Sequence, residues 1–324
     1  MNLGTSVANF LVRSLLKPLC HAAPPIVSGP IARRLLPLLP KISSREYTIR
    51  SLTGALYAHR TGDIVGDRMW IIGHFDWRVL ALAAQYAPVG ARIIEIGANN
   101  GSETVGLAMI VGKTGHILAF EPEPTVAAVL NHNVELNGFE HVTVQAVAVS
   151  DSSGVVKFVS PVADNSGIGH IATSPAADVS TFEVPSITID SLPLEFGAAT
   201  VITIDVEGHE VSVLLGGKAY IRRYRPVIIV EAVPRHLLRA GQSVQALLDL
   251  LHAFEYEVFE IGTFGIKPIS QRAWPEAYEK NWFCTPSETR TDRSSISRLF
   301  IRNLLTPNIL HLHPLDKSRA YLRM

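Results

Sequence analysis

The sequence predicts an α/β domain built on a doubly wound, mostly parallel sheet with helices on both faces, and three observations carry that prediction. From Ala91 onward, short apolar runs alternate with helix-compatible segments. The run at 93–96 ends in Gly97, and Gly101 follows four positions later, just ahead of helix-compatible sequence from Ser102. Twenty residues past Gly101, a second apolar run, HILAF, ends in Glu121. Strands that alternate with helices pair in parallel through right-handed crossovers.

Taken in order, Pro24, Pro25, Pro30, Pro37 and Pro40 interrupt the chain ahead of Lys41, which predicts short helices or loops there. Turn-rich sequence near Tyr47 leads to WIIGHFDW at 70–77, and ALAAQYA then reads as a helix entering the first strand. Strands are expected at 92–96, 116–121, 142–149, 200–205, 226–231 and 255–261, with a last one near 281–285. Helices are expected at 102–111, 124–137, 210–219 and 243–253. Residues 151–190 break the alternation: VVKFVS reads as a strand and DNSGIGHIATSPAADVSTFE as a loop without a period. So long a loop is functional or mobile. Over the carboxyl ends of the strands it is a substrate lid, and elsewhere a surface excursion. The expected organisation is an N-terminal extension of short helices and loops at 1–60, a catalytic domain at 61–286 and a basic tail at 287–324.

The glycine turn and the acidic strand end point to chemistry. Gly97 and Gly101 let the backbone turn tightly and let a ligand approach closely. A carboxylate at Glu121 can accept hydrogen bonds from both hydroxyls of a ribose. A dinucleotide loop prefers G-x-G-x-x-G, yet the second glycine position holds Asn99. A cofactor with a ribose and no phosphates tolerates that change, and S-adenosylmethionine is such a cofactor. Glu95 and the loop can meet its sulfonium and amino-acid ends, with Ala98, Asn100, Thr104 and Pro122 completing the expected cofactor wall. The strand at 142–149 ends in Ser150 and Asp151. Asp151 there can accept an adenine amino group, although Ser-Asp-Ser-Ser-Gly is also good turn chemistry.

Acceptor chemistry is expected at the later strand ends. Asp205 closes the strand in TVITIDVEGHE, Glu207 follows it, and Glu231 closes the strand at 226–231. These three carboxylates can converge on one cleft. Methyl transfer is an in-line displacement in which positioning does most of the work, and a base is needed only for a hydroxyl or a protonated amine. Asp205 and Glu207 are the candidates to orient or deprotonate an acceptor, with Glu231, His209 and His170 as substrate contacts. His209 also reads as an exposed helix-start histidine, and Glu210 as an acid stabilised by the helix dipole. His311 and His313 resemble a chelating pair but are expected to be solvated in the basic tail. Carboxylate clusters bind divalent metals, but this spacing is not diagnostic and no metal is assigned.

Composition narrows the function classes. The 324 residues carry no net charge, and their distribution is uneven. Residues 1–50 hold seven bases and one acid, 287–324 hold seven bases and three acids, and 51–286 hold 15 bases and 25 acids. So acidic a body argues against a nucleic-acid-binding core. Cys20 and Cys284 are far apart, which favours a reducing, cytoplasmic compartment. No run of eighteen apolar residues predicts a membrane span. The N-terminal NFLVRSLLKPLC lacks a prompt signal-peptide cleavage site and has two readings: a helix packed on the domain, which is favoured, or an amphipathic helix on a membrane surface. The segment SRLFIRNLLTPNILHLHP has the same two.

Taken together and in order, EIGANNGSET, AFEPEP, Asn133 and Asn137 in NHNVELNG, AVAVSDSSG, ITIDSL, IDVEGHEVSVLLGG and RPVIIVEA resemble the FkbM family of S-adenosylmethionine-dependent methyltransferases. The resemblance covers roughly 90–235 and continues more weakly to about 285. It implies a class I methyltransferase (Rossmann-like) fold on a seven-stranded sheet, and O-methylation of a hydroxyl of a sugar, glycolipid or secondary metabolite. It implies that Glu95, Gly97, Asn99, Gly101, Glu121, Ser150 and Asp151 surround the cofactor. Asp205, Glu207 and Gly208 would form the signature turn beside the methyl group. The chain departs from the family at Glu95, where aspartate is common, and at Thr203-Ile204 ahead of Asp205, where a lysine is common. A nicotinamide-dependent oxidoreductase is the alternative, disfavoured by Asn99 and by the lack of a Tyr/Lys pair. A non-catalytic cofactor-binding module is disfavoured by the retained carboxylates.

Overall fold

The computed structural model describes residues 12–35, 46–60, 62–160, 165–172, 181–269, 274–307 and 313–318. After a wide-turn segment at Val12–Leu16, the chain forms α1 (Lys17–Ala22) and α2 (Pro25–Leu35), then the hairpin β1 (Glu46–Arg50) and β2 (Leu56–Arg60). Helices α3 (Ile64–Ile72) and α4 (Trp77–Tyr86) lead into β3 (Arg92–Ile96), α5 (Thr104–Val111), β4 (His116–Phe120), α6 (Pro124–Leu136) and β5 (Val142–Gln145). Four short strands follow: β6 (Ala148–Val149), β7 (Gly154–Val159), β8 (His170–Ile171) and β9 (Thr181–Ile187). The alternation resumes with β10 (Val201–Ile204), α7 (Glu210–Gly216), α8 (Lys218–Tyr224), β11 (Val227–Ala232), α9 (Pro234–Arg239) and α10 (Val244–Ala253). It closes with β12 (Tyr256–Ile261), β13 (Ile266–Pro268), β14 (Lys280–Pro286) and α11 (Arg293–Leu305).

The main sheet runs β13-β12-β14-β11-β10-β3-β4-β5. Strands β5, β4, β3, β10 and β11 are parallel, whereas β14 enters antiparallel between β11 and β12. Alternation sorts the apolar side chains onto two faces. Ile93, Ile117, Val201 and Ile229 join one core with α4 and α5, while Ile94, Leu118, Ile202 and Ile228 join the other with α7 and α10. Strands buried on both faces read as continuous apolar runs, which is why they stand out in the sequence. From β3 the chain steps outward to β4 and β5, then returns to β10 on the opposite side of β3. A cleft opens beyond the carboxyl ends at such a switch point.

Several local expectations are corrected. The sheet has eight strands rather than seven, because β13 pairs antiparallel with the edge strand β12. The strand expected at 142–149 is two: β5 pairs with β4, whereas β6 leaves the main sheet and pairs with β9. The helix expected at 210–219 breaks at Gly217, where a Cβ would sit 2.8 Å from the Ile189 side chain. Asp190 supports the restart by accepting the α8 N–H groups of Ala219 (3.0 Å) and Tyr220 (2.7 Å). The segment at 151–190 holds a four-stranded sheet, β6-β9-β7-β8, and β9 begins within the stretch expected to be loop.

The first and last described segments pack on the body. The N-terminal extension contains the β1–β2 hairpin besides its helices, and α6 holds that hairpin in place. Asn133 accepts from Ala58 N–H (2.6 Å) and Asn137 from Leu56 N–H (2.7 Å), each amide acting as a strand partner. Asparagines four apart share a helix face, and alternate residues of a strand share an edge, so the two spacings match. At the other end α11 lays Phe300 against Trp77, with ring centroids 5.3 Å apart. His313, expected in solvent, is buried, with Nε2 3.0 Å from the Asn303 carbonyl. His311 lies outside the described residues. Among the described residues no helix is long and apolar enough to cross a membrane.

Candidate active site

A cavity of about 350 Å³ opens at the carboxyl ends of β3, β4, β10 and β11. Gly97 turns the chain away from β3 at φ +83°, and a Cβ there would collide with the Asp205 carbonyl oxygen. The N–H groups of Gly97 and Ala98 both donate to the Phe120 carbonyl, at 3.0 and 2.9 Å, which ties the loop to β4. Asn99 is left-handed (φ +49°), a conformation asparagine tolerates better than most residues. Its N–H donates to Glu121 Oε2 at 2.9 Å, while Glu123 N–H donates to Glu121 Oε1 at 3.0 Å. Glu121 is thereby fixed at the cavity wall with a lone pair left on each oxygen. Burial pushes its carboxyl up to about 7 and that of Glu95 up to about 8. Glu95 Oε2 is shut off from solvent and has no hydrogen-bond partner.

The turn after β10 supplies the second wall. Asp205 and Glu207 both line the cavity, and Glu207 is left-handed at φ +56°. Strain of this kind needs surrounding support. Arg239 supplies it by donating to the Glu207 carbonyl at 2.6 Å, and Gly208, at φ +110°, lies so close to the His236 carbonyl that a Cβ would collide. Glu210 is a buried brace as well as a helix-start acid: its Oε1 accepts from Gly208 N–H (3.0 Å) and Val206 N–H (3.4 Å). Asp205 is solvent-exposed where it lines the cavity, yet sits deep among protein atoms. That depth, with Glu231 and Glu207 beside it, pushes its carboxyl well above the ordinary range.

Glu231 at the end of β11 lines the same cavity, with a residue the sequence did not single out, His236 in α9. His236 Nδ1 stands 2.8 Å from Glu207 Oε2 and 3.7 Å from Glu231 Oε2. Burial alone would lower its pKa, but the two carboxylates raise it to about 9. Its only sequence signal is position: it follows the strand-end acid Glu231 by five residues and Pro234, the first residue of a helix, by two.

Other expected residues stand elsewhere. Pro122 lines the cavity, whereas Thr104 is fully buried in α5 off the lining, and Gly101 packs against Leu130. Asn100 is off the lining too; its carbonyl accepts from Asn133 at 2.8 Å. Ser150 and Asp151 are carried off by β6, and Ser150 Oγ lies 2.9 Å from His209 Nε2, all three outside the cavity lining. His170 is outside it as well, with Nδ1 3.0 Å from the Ile168 carbonyl, although Gly169 and Ile171 on either side line the cavity. The turn Ser166–Ile168 roofs the site, and Asp63, the N-cap of α3, fastens it by accepting from Ser166 N–H at 2.6 Å. Nothing in the local sequence marks Asp63, because its partner is 103 positions away.

The FkbM methyltransferase domain family matches residues 95–258. No curated protein matches the chain. Among solved structures, the FkbM methyltransferase from Methylobacillus flagellatus is 17% identical over 60% of this chain and 44% of its own, with a TM-score of 0.39. The chain therefore spans less than half the length of that protein. The O-methyltransferase TomG from Streptomyces achromogenes, involved in tomaymycin synthesis and seen with S-adenosylmethionine, is 14% identical over 64% of this chain and 77% of its own, at 0.40. The O-methyltransferase from Bacillus cereus, in complex with S-adenosylhomocysteine, is 18% identical over 64% and 78%, at 0.37.

Proposed function

The chain belongs to the FkbM methyltransferase family, and from that premise we propose that it transfers a methyl group from S-adenosylmethionine to a hydroxyl of a sugar, glycolipid or secondary metabolite. The observation that carries this reading is the arrangement of carboxylates at four parallel strand ends around one cavity: Glu95, Glu121, Asp205 and Glu231. The residues present fit the cofactor. Glu121 keeps a free lone pair on each oxygen for the ribose hydroxyls, and the unpartnered Glu95 Oε2 is a ready acceptor for the amino-acid end. Gly97 to Asn99 and Pro122 line the same cavity. Bound there, S-adenosylmethionine supplies an electrophilic methyl carbon on a sulfonium.

The protein's own work is to hold the acceptor in line with that carbon and to accept its proton. Asp205, whose carboxyl is pushed well above the ordinary range, is the candidate general base. Glu207 is held by His236 and Arg239 and orients the acceptor beside it. A small-molecule acceptor suits an enclosed cavity better than a nucleic acid does. Incubating the chain and methyl-labelled cofactor with a metabolite extract tests the assignment. Label in a hydroxyl-bearing sugar, glycolipid or secondary metabolite supports it, and label in none of these classes sinks it.

The surroundings favour a cytoplasmic protein in peripheral contact with a membrane. Leu15, Leu19, Ile26 and Val27 are exposed in and around α1 and α2, close in sequence to Lys17, Arg33 and Arg34. Apolar side chains beside bases suit the interface of an anionic bilayer.

A further inference from the structure

We propose that Glu207, Glu231 and His236 form a site for a divalent transition-metal ion at the acceptor end of the cavity, of the Mn²⁺ or Zn²⁺ class. One oxygen from each glutamate and one ring nitrogen lie within 4.8 Å of one another. His236 Nδ1 is 2.8 Å from Glu207 Oε2 and 3.7 Å from Glu231 Oε2. Ligands about 2.0–2.2 Å from one ion and about 90–110° apart are separated by about 3–3.5 Å, and both histidine–glutamate separations lie within a few tenths of an ångström of that range.

Glu207 Oε2, Glu231 Oε2 and His236 Nδ1 are all shut off from solvent, and their close charged partners are one another, with Arg239 farther off at 3.8 Å from Glu207. Buried polar atoms are nearly always satisfied, and Glu231 Oε2, 3.7 Å from the ring nitrogen, falls short of a hydrogen bond. A metal ion that displaces the His236 proton would offset the charge of both carboxylates. Two oxygens and one imidazole suit Mn²⁺ or Zn²⁺ better than Ca²⁺ or Mg²⁺, which prefer all-oxygen shells.

The elements around the three ligands are suited to the task. Glu207 is set by the turn after β10, Glu231 by the end of β11, and His236 by α9, which starts at Pro234 directly after β11. The other face of the His236 ring is supported, because Arg235 Nε donates to His236 Nε2 at 3.0 Å. Metal at Nδ1 places the ring proton on Nε2, so Arg235 must turn away, and Glu279, already 3.2 Å from its Nη2, can hold it. An acceptor hydroxyl held in the cavity that Asp205, Glu207, Glu231 and His236 all line would come within reach of the ion. Only this use of the ion rests on the methyl-transfer reading; binding does not.

The test uses the full chain, stripped with a chelator and titrated calorimetrically with MnCl2 or ZnCl2 and no cofactor. One saturable ion per chain is expected, weakened about tenfold or more in Glu231→Gln and in His236→Ala, and unchanged in the surface variant Glu257→Gln outside the cavity. Absence of saturable binding at millimolar metal, or binding unaltered by both ligand substitutions, overturns the site. Should either ligand variant fail to fold, the Co²⁺ absorption of the unmodified chain decides. Visible d–d bands of an imidazole-carboxylate site at one ion per chain support it, and a spectrum of aqueous Co²⁺ overturns it. A chain that binds the ion but not S-adenosylmethionine keeps this site and sinks the donor assignment. The reverse result does the opposite.

Discussion

Glu121 and Asp205 both hold their protons more tightly than ordinary carboxyls because protein surrounds them, and neighbouring carboxylates add to the effect at Asp205. Glu121 is raised to about 7 by burial, against the pull of two backbone N–H donors. A cationic cofactor favours the ionised form. Its affinity should therefore rise as pH increases through 7, by about tenfold between pH 6 and 8, as a single titration predicts. Glu121→Gln should flatten that profile in calorimetry across pH. The same groups set the stability of the unliganded chain. Folded carboxyl pKa values raised at Glu95, Glu121 and Glu210 mean that the folded state binds more protons near neutrality. Their contribution is full below the unfolded value and is lost as pH rises through about 7–8, so the melting temperature should be higher at pH 6 than at pH 8.5. Asp205→Asn keeps the shape and removes the base. It should lower turnover by about a hundredfold or more while leaving cofactor affinity near that of the unmodified chain. Equal losses in both would make Asp205 a cofactor ligand instead.

At the scale of elements, the asparagine pair in α6 links the donor loop to the N-terminal hairpin. Asn133 accepts from Ala58 N–H and donates to the Asn100 carbonyl, so one side chain ties β2 to the turn after β3. Asn133→Ala leaves those buried groups unpaired and should cost about 2–4 kcal/mol, seen as a lower denaturation midpoint with faster amide exchange at Ala58. The strand-end residues Glu95, Glu121, Asp205 and Glu231 were legible in the sequence because parallel strands deliver their last residues to one edge. Ser150 and Asp151 were read by the same rule, but β6 turns out of the main sheet after 145 and carries them off the lining. His236 was illegible because a short helix places it, and Asp63 because its partner in the roof is remote in sequence. The hairpin β1–β2 was missed because side chains of α6, not a neighbouring strand, hold its edge.

At the scale of the whole molecule, charge is sorted by region: basic ends on an acidic body. The exposed apolar residues of α1 and α2 are joined by Ile301 and Leu305 of α11, which packs against α2. Contact with a bilayer through these helices predicts co-sedimentation with anionic phosphatidylserine vesicles, reduced by salt, and little binding to phosphatidylcholine alone. Leu19→Glu with Val27→Glu should abolish it, and equal binding to both vesicle types would remove the electrostatic component.

We propose that the loop from Gly97 to Asn99 and the carboxylate of Glu121 hold S-adenosylmethionine rather than a dinucleotide. Isothermal titration of the full chain with S-adenosylmethionine and with NAD, repeated on Glu121→Ala, tests it most directly. The account predicts one S-adenosylmethionine per chain, no measurable NAD binding, and an affinity about 10–100-fold weaker in the variant, as the loss of charge-assisted ribose hydrogen bonds implies. Saturable NAD binding, or S-adenosylmethionine affinity untouched by Glu121→Ala, would contradict it.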